Sequence, residues 1–275
     1  MSSPSPGLLF WDAEVVMTPA AAQLQSQPHL TAPYGEASLD LTIFVSCYNE
    51  SALIVGTLDT VRRAAQESGL SYEIIVIDDA SKDNSPRLVA QYINEHPADR
   101  IILRANRKNK GLAQNYIDAA FLGIGKYYRL SHGDNSEPWE YITTVFRAIG
   151  QADIIVPYYL SSEGKSNSRQ ALSKSYTRIV NFLAGYNLHY YNGQAVHLRH
   201  NVMRWHPSTA GFGFQADILC QLLDLGFTYK EVAIITIEQR QDKSHAMTTR
   251  NFLSVAHTLV EIGLRRLSNR LYRRG

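Results

Sequence analysis

Three features of the chain predict an α/β protein with a mainly parallel sheet and helices on both faces. Apolar strands and amphipathic helices alternate four times over about 100 residues from Leu41 onward. The strand-like runs are apolar almost throughout, not at every second position, as expected of strands covered on both sides. Each run also breaks into a polar turn, and ligands of such sheets bind in the crevice beyond the strands' carboxyl ends.

The elements follow in order. Residues 1–38 are rich in Pro, Ser, Ala and Gln and are read as a partly disordered N-terminal arm, with the apolar patch "LLFWDAEVV" docking on the domain. "LTIFVSCYNE" is a first strand and its turn. "SALIVGTLDTVRRAAQESG" has helical spacing with Gly69 as a C-cap. "YEIIVIDDASKDNS" is a second strand and turn, and "PRLVAQYINEHP" a helix begun by Pro86 and ended by Pro97. "RIILRAN", "GLAQNYIDAAFLGIG" and "KYYRLS" supply strand, helix and strand. The second half is less regular: helices in "EPWEYITTVFRAIG", "ALSKSYTRIVNFLAGY" and "QADILCQLLDLG", strands in "DIIVPYY" and "YKEVAIITIEQ", and short strand-like pieces near "LHYYNGQAVHLR". The main domain is expected to span 39–250, with a basic amphipathic helix at 251–275.

Composition narrows the class. At 275 residues and 45% hydrophobic the chain can bury a sizeable core, and a net charge of +2 gives no argument for nucleic acid. Cys47 and Cys220 have no CxxC partner, so neither a disulfide framework nor a zinc site is expected, and a cytoplasmic setting fits. No apolar run reaches the roughly 18 residues that cross a bilayer. The positive charge gathers in "GLRRLSNRLYRRG", which reads either as an anionic-membrane contact on the cytoplasmic face or as a solvated face.

Three turns at one sheet edge suit a nucleotide. "CYNES" offers Tyr48 to pack on a base, with Asn49 and Glu50 beside it. "DDASKDNS" offers Asp78 and Asp79 as acceptors for a base imino group or ribose hydroxyls; equally, Ser81, Asp83 and Asn84 can make this a helix-capping turn. "HGDN" offers Asp134, and a carboxylate beside a diphosphate is useful chiefly with a divalent cation between them. No GxGxxG follows a strand, and the first turn lacks the Gly, Arg and Lys of a triphosphate-binding nucleotidyltransferase loop.

In order and spacing, "VSCYNE", "EIIVIDDASKDNS", "NKGLAQN", "RLSHGDN" and "EQRQDKS" resemble the family 2 glycosyltransferases of the GT-A fold, nearest to their polyprenyl-phosphate sugar transferase branch. The likeness covers roughly residues 41–250. It implies a Rossmann-like, mainly parallel sheet and an inverting, metal-dependent transfer from a nucleoside diphosphate sugar. It places Tyr48, Asn49 and Glu50 at the nucleoside, Asp79 at base or ribose, and Lys110 and Gly111 in the same pocket. Asp134 takes the last position of the DXD metal motif, for Mg²⁺ or Mn²⁺. Arg169 and Ser173 match an acceptor-facing Arg-x-x-x-Ser, and Arg240 and Ser244 a C-terminal loop near the phosphates.

The sequence also departs from the family pattern. Cys47 stands in place of a Pro, His132 in place of the first DXD aspartate, and "QDKSH" lacks the usual Gly. An imidazole at His132 would tilt metal preference toward Mn²⁺; a plain turn residue is the other reading. Asp217 matches an acidic family position and is the candidate general base, unless it only complements a helix dipole. The acceptor is expected to be a polyprenyl phosphate, which is already an anion and needs little base help, or a saccharide hydroxyl. The competing expectation is a degenerate GT-A domain that binds nucleotide sugar, or a partner, without turnover.

Overall fold

A computed structural model of the chain describes residues 8–10, 13–17, 38–160, 167–206, 213–234 and 249–272. Two compact units are formed, residues 1–135 and 136–275.

In the first unit the elements run β1 (Leu8–Phe10), β2 (Ala13–Met17), β3 (Leu39–Cys47), α1 (Ile54–Ser68), β4 (Tyr72–Asp78), α2 (Ser85–Glu95), β5 (Ile101–Asn106), α3 (Leu112–Leu122) and β6 (Gly125–His132). Their order across the sheet is β1-β2-β5-β4-β3-β6. Strands β5, β4, β3 and β6 are parallel, and β1 and β2 form an antiparallel hairpin whose second strand pairs with β5. The apolar patch near the N-terminus is therefore the sheet's outer hairpin.

Ile43, Phe44, Val45, Ile74, Ile75, Val76 and Ile77 are all fully buried on consecutive positions, so both faces of β3 and β4 are covered. Burying each such side chain is worth about 1.5–3 kcal/mol. Helix punctuation follows the sequence: Gly69 ends α1 in the left-handed region at φ 68°, and Pro86 lies in the first turn of α2. The order β5-β4-β3-β6 means the chain winds outward from β3 in one direction, then returns to β3's other side with β6. That reversal is a topological switch point, where loops separate and leave a crevice beyond the strands' carboxyl ends.

In the second unit α4 (Trp139–Phe146), β7 (Ile154–Tyr159), α5 (Asn167–Ala184), β8 (Val196–Leu198), α6 (Arg199–Arg204), α7 (Phe214–Asp224), β9 (Tyr229–Ile234) and α8 (Thr249–Tyr272) follow. β7 pairs with β8 antiparallel and with β9 parallel. Gly226, at φ 87°, turns the chain out of α7. No helix among the described residues is long and apolar enough to cross a membrane.

Candidate active site at the sheet edge

Register brings the three turns level. Cys47 of β3 pairs with Asp78 of β4, and Ser46 with His132 of β6, so the strands stop side by side. The following residues emerge together at the switch point.

The β3 and β4 turns are stitched to each other. Asn49 N–H donates to Ser81 Oγ at 2.8 Å, and its side-chain Oδ1 accepts from Lys82 N–H at 2.8 Å. Glu50 N–H reaches Ser85 Oγ at 2.9 Å, and Ser51 N–H reaches Asp83 Oδ2 at 3.0 Å. Slight burial opposes ionisation of Asp83, but donors from Ser85 and Ser51 outweigh it and hold this carboxyl well below the usual range. Asn49 and Ala80 take positive φ, 58° and 65°, a conformation held in place by these flanking bonds. Tyr48 is left 47% exposed at the tip.

The two adjacent aspartates have different tasks. Asp79 is almost buried; its carboxylate accepts from Asn106 Nδ2 at 3.0 Å and from the backbone N–H groups of Lys110 at 2.8 Å and Gly111 at 2.9 Å. It clamps the 107–111 loop, and so Lys110 and Gly111, against β4. Lys110 Nζ in turn pairs with Asp118 at 3.1 Å. Asp78 is also buried, and its Oδ2 accepts from Ser81 N–H, but Oδ1 accepts no hydrogen bond among the described residues. The neighbouring Cys47 thiol is pushed up to about 12, chiefly by burial and then by the Asp78 charge, so it stays neutral and is at best a weak donor. A buried acceptor left over in this way is suited to a ligand N–H or O–H.

The β6 turn is fixed just as firmly. Gly133 N–H donates to Ser46 O at 2.9 Å, and a Cβ at Gly133 would lie 2.5 Å from that same oxygen, so only glycine permits the approach. Thr57 Oγ1 donates to Gly133 O at 2.9 Å and accepts from Asn135 N–H at 2.9 Å. Asn135 takes φ 47°, and Thr60 Oγ1 donates to its Oδ1 at 3.1 Å. Asp134 is half-buried between these pinned neighbours. His132 is half-buried with Nδ1 3.4 Å from Ser46 Oγ. Sequence reasoning had no signal for Thr57 and Asn106, because each is an ordinary helix or strand residue whose partners lie far away along the chain.

In the second unit Asp217 departs from the general-base expectation. It is 2% exposed, and its two oxygens take Arg265 Nη1 at 2.8 Å, Trp205 Nε1 at 3.1 Å and Gln221 Nε2 at 3.1 Å. With three donors among the described residues and almost no exposure it ties α7 to α8. Ser173 is half-buried on α5, one turn after Arg169. Arg240 and Ser244 lie outside the described residues. The C-terminal basic cluster is not uniformly outward: Arg265 also bonds Asp224 at 3.3 Å, Arg266 lies 4.0 Å from Asp224, and Arg270 is exposed.

A parallel sheet with its nucleotide-type turns gathered at the switch point is the architecture of the GT-A sugar transferases. The sequence profile described as "Glycosyl transferase family 2" matches residues 42–204, and the chain belongs to that family. It is 32% identical over 101 residues to the dolichyl-phosphate beta-glucosyltransferase of Dictyostelium discoideum, covering 35% of this chain and 31% of that protein. It is 26% identical to the undecaprenyl-phosphate mannosyltransferase of Micrococcus luteus, over 74% of this chain and 86% of that one. The chain thus spans less than a third of the former relative. Among solved structures it resembles glucosyl-3-phosphoglycerate synthase from Mycobacterium tuberculosis, crystallised with Mn²⁺, uridine diphosphate and phosphoglyceric acid. That likeness has a TM-score of 0.63 at 14% identity, covering 83% of this chain and 80% of the other, and it speaks for the fold alone.

Proposed function

We propose that the chain moves a glycosyl group, with inversion, from a nucleoside diphosphate sugar to a polyprenyl phosphate. The observation that carries this is the level ending of β3, β4 and β6, which sets exposed Tyr48, the open Oδ1 of buried Asp78 and half-buried Asp134 around one switch point. Tyr48 offers a ring for the base to stack on. Asp78 Oδ1 accepts from the nucleoside, while Asp79 works indirectly by holding Lys110 and Gly111 in place.

Mg²⁺ or Mn²⁺ fits this donor set as an ion shared with the ligand. No three His, Cys, Asp or Glu residues among those described converge into a cage of their own, and Mg²⁺ in particular is usually held by one or two carboxylates plus phosphate oxygens. Asp134 would hold it, with His132 alongside favouring Mn²⁺. When bound, the cation offsets charge gathering on the departing diphosphate. Arg240 and Ser244, which match the family's phosphate motif, would add donors to the diphosphate.

In the reaction an acceptor phosphate oxygen forms a bond to the anomeric carbon. The bond from that carbon to the diphosphate breaks, and its electron pair leaves with the nucleoside diphosphate. An ionised phosphate needs no proton removed, which agrees with an Asp217 fully engaged by Arg265, Trp205 and Gln221. Arg169 and Ser173, which match the family's acceptor-facing Arg-x-x-x-Ser, would receive the acceptor phosphate. The named activities of the Dictyostelium and Micrococcus relatives support the same acceptor class.

A second reading, a nucleotide-sugar binder without turnover, is favoured only by His132 standing in place of an aspartate. Thermal unfolding with UDP, GDP and dTDP, each with and without Mn²⁺ or Mg²⁺, tests the site. Saturation at 100 times Kd adds roughly 2.7 kcal/mol. One nucleotide should stabilise only with metal, and Asp134→Asn should lose that gain. Product formation with undecaprenyl phosphate then separates the readings, because a pure binder yields none. Failure of every nucleotide to shift the melt would remove both.

A further inference from the structure

The second unit gathers uncharged polar and aromatic side chains at the carboxyl ends of its own parallel strands. β7 and β9 end level, with Tyr159 paired to Ile234, and ligands of parallel strands bind beyond such ends. The Tyr159 ring lies 5.9 Å from that of Tyr141 on α4 and 6.0 Å, edge to face, from that of Tyr190. Tyr141 Oη reaches Gln194 Oε1 at 3.5 Å. The loop between Tyr190 and Gln194 is pressed onto β7, since a Cβ at Gly193 would fall 2.7 Å from Pro157 O. Gln215 of α7, its amide turned as its neighbours require, donates to Asn192 O at 2.9 Å and Gly193 O at 3.2 Å and so holds this loop in place.

Two donors in this cluster are left over. Gln194 is half-buried and spends only its Oε1 on a partner among the described residues, which leaves Nε2 available. The Tyr176 hydroxyl on α5 is buried and has no hydrogen-bond partner among the described residues. It lies within electrostatic reach of Tyr190, and burial pushes its pKa up, so it remains a proton donor. Tyr176 follows Ser173 by three positions and shares its face of α5. A buried hydroxyl without a partner is costly, and a ligand oxygen would relieve that cost.

The chemistry of the cluster selects its ligand. Tyr159 and Tyr190 are half-buried and offer ring surface, while the spare donors are a phenol and an amide, both neutral. A phosphate calls for Arg or Lys, and a hydrocarbon would leave both donors unpaired. A pyranose satisfies both halves: its C–H face packs on an aromatic ring, and its hydroxyl oxygens accept from neutral donors. A sugar carboxylate would lose its water with no cation to replace it.

We infer that Tyr159, Tyr176, Tyr190 and Gln194 form a subsite for an uncharged pyranose ring. This names the class of sugar handled by the transferase proposed above, and it rests on that reading only for where the sugar comes from.

Two measurements on the full chain test it. Saturation-transfer NMR with methyl glucopyranoside, methyl mannopyranoside and the methyl glycoside of glucuronic acid reads the ring without a nucleotide. Calorimetric titration with UDP, UDP-glucose, GDP and GDP-mannose in Mn²⁺ reads what the sugar adds to the nucleotide. The neutral sugars should bind and the glucuronide should not. Tyr190→Ala should weaken the sugar-dependent part about ten-fold, and Tyr176→Phe and Gln194→Ala about three-fold each, with nucleotide binding unchanged. Tyr176→Phe removes one unpartnered oxygen and should melt at or above the wild type, so it serves even where Tyr190→Ala fails to fold. A gain seen only when a nucleotide carries the sugar assigns the ring to the donor. Binding of the free glycosides while no nucleotide binds keeps the subsite and removes the transferase reading. No sugar signal in either measurement overturns the inference, as does a glucuronide that binds equally well, or a sugar signal that Tyr176→Phe and Gln194→Ala both leave unchanged.

Discussion

Adjacent residues of one type divide the work at the sheet edge, and only their surroundings tell them apart. Asp79 takes three donors and becomes a clamp, whereas Asp78, one position earlier, keeps a buried oxygen that accepts no hydrogen bond among the described residues. The same rule applies to His197 in β8. It is fully buried, its Nδ1 has no hydrogen-bond partner among the described residues, and burial pushes its pKa down to about 4 from an ordinary 6.5. Between those values the unfolded chain binds a proton that the folded chain refuses, so stability is complete above about pH 6.5 and falls as pH drops toward 4. The loss is on the order of 3 kcal/mol. Nearby His200, depressed by partial burial and then by Arg204 and Arg199, adds to the fall in the same direction. Urea unfolding of His197→Gln at pH 7 and pH 5 should show a clearly smaller drop than the wild type, and equal drops would mean that His197 does not carry the effect.

At the level of elements, the opposite end of the first unit's sheet is held by a buried charge. Glu73 of β4 is fully buried; it pairs with Arg100 Nε at 2.8 Å and accepts from Thr42 Oγ1 at 2.6 Å and from Ile124 N–H. Thr42 Oγ1 in turn accepts Gly125 N–H at 2.9 Å, and a Cβ at Gly125 would fall 2.3 Å from Thr42 N. This network fixes the entry into β6, and so the height at which Asp134 emerges at the other end. Glu73→Ala removes the carboxylate that faces buried Arg100 and should cost about 3–5 kcal/mol, read as a lower urea midpoint at unchanged slope. A cost under about 1 kcal/mol would mean that water replaces the carboxylate.

The sheet was legible because strands buried on both faces must be apolar throughout. The runs around Ile43, Ile75, Ile102 and Leu130 show this directly, as do the Gly69 and Pro86 signals. The three-residue β8 is too short to leave a pattern. Tyr48, Asp78 and Asp134 could be picked out by residue type at strand ends. The clamp of Asp79, the anchoring of the β6 turn by Thr57 and the inward pairing of Arg265 with Asp217 could not, since each joins residues about 30 to 80 positions apart. "LRRLSNRLYRR" reads as a uniformly basic tip, yet the buried acids of α7 claim its first two arginines.

For the molecule as a whole, the two compact units carry different surfaces. The nucleotide-type edge is built from residues of the first, and α5 and α8, with their exposed apolar residues, belong to the second. Each surface should therefore leave its own footprint in hydrogen exchange. Nucleotide with Mn²⁺ should slow exchange at the loop amides of 48–51, 79–85, 107–111 and 133–135, whose N–H groups, most of them hydrogen-bonded within and between the turns, exchange by small local openings that a ligand suppresses. Helical amides of α5 and α8 exchange when the helix frays or lifts from its neighbour, and exposed leucines beside cations suit an anionic bilayer, so anionic vesicles should slow residues 171–183 and 253–271 and leave the loop set unchanged. Protection of 171–183 and 253–271 by nucleotide alone would mean that filling the sheet edge orders these helices, and the two functions would then be coupled. Vesicle protection confined to residues after 268 would place the lipid contact at the basic tip and remove α5 from it.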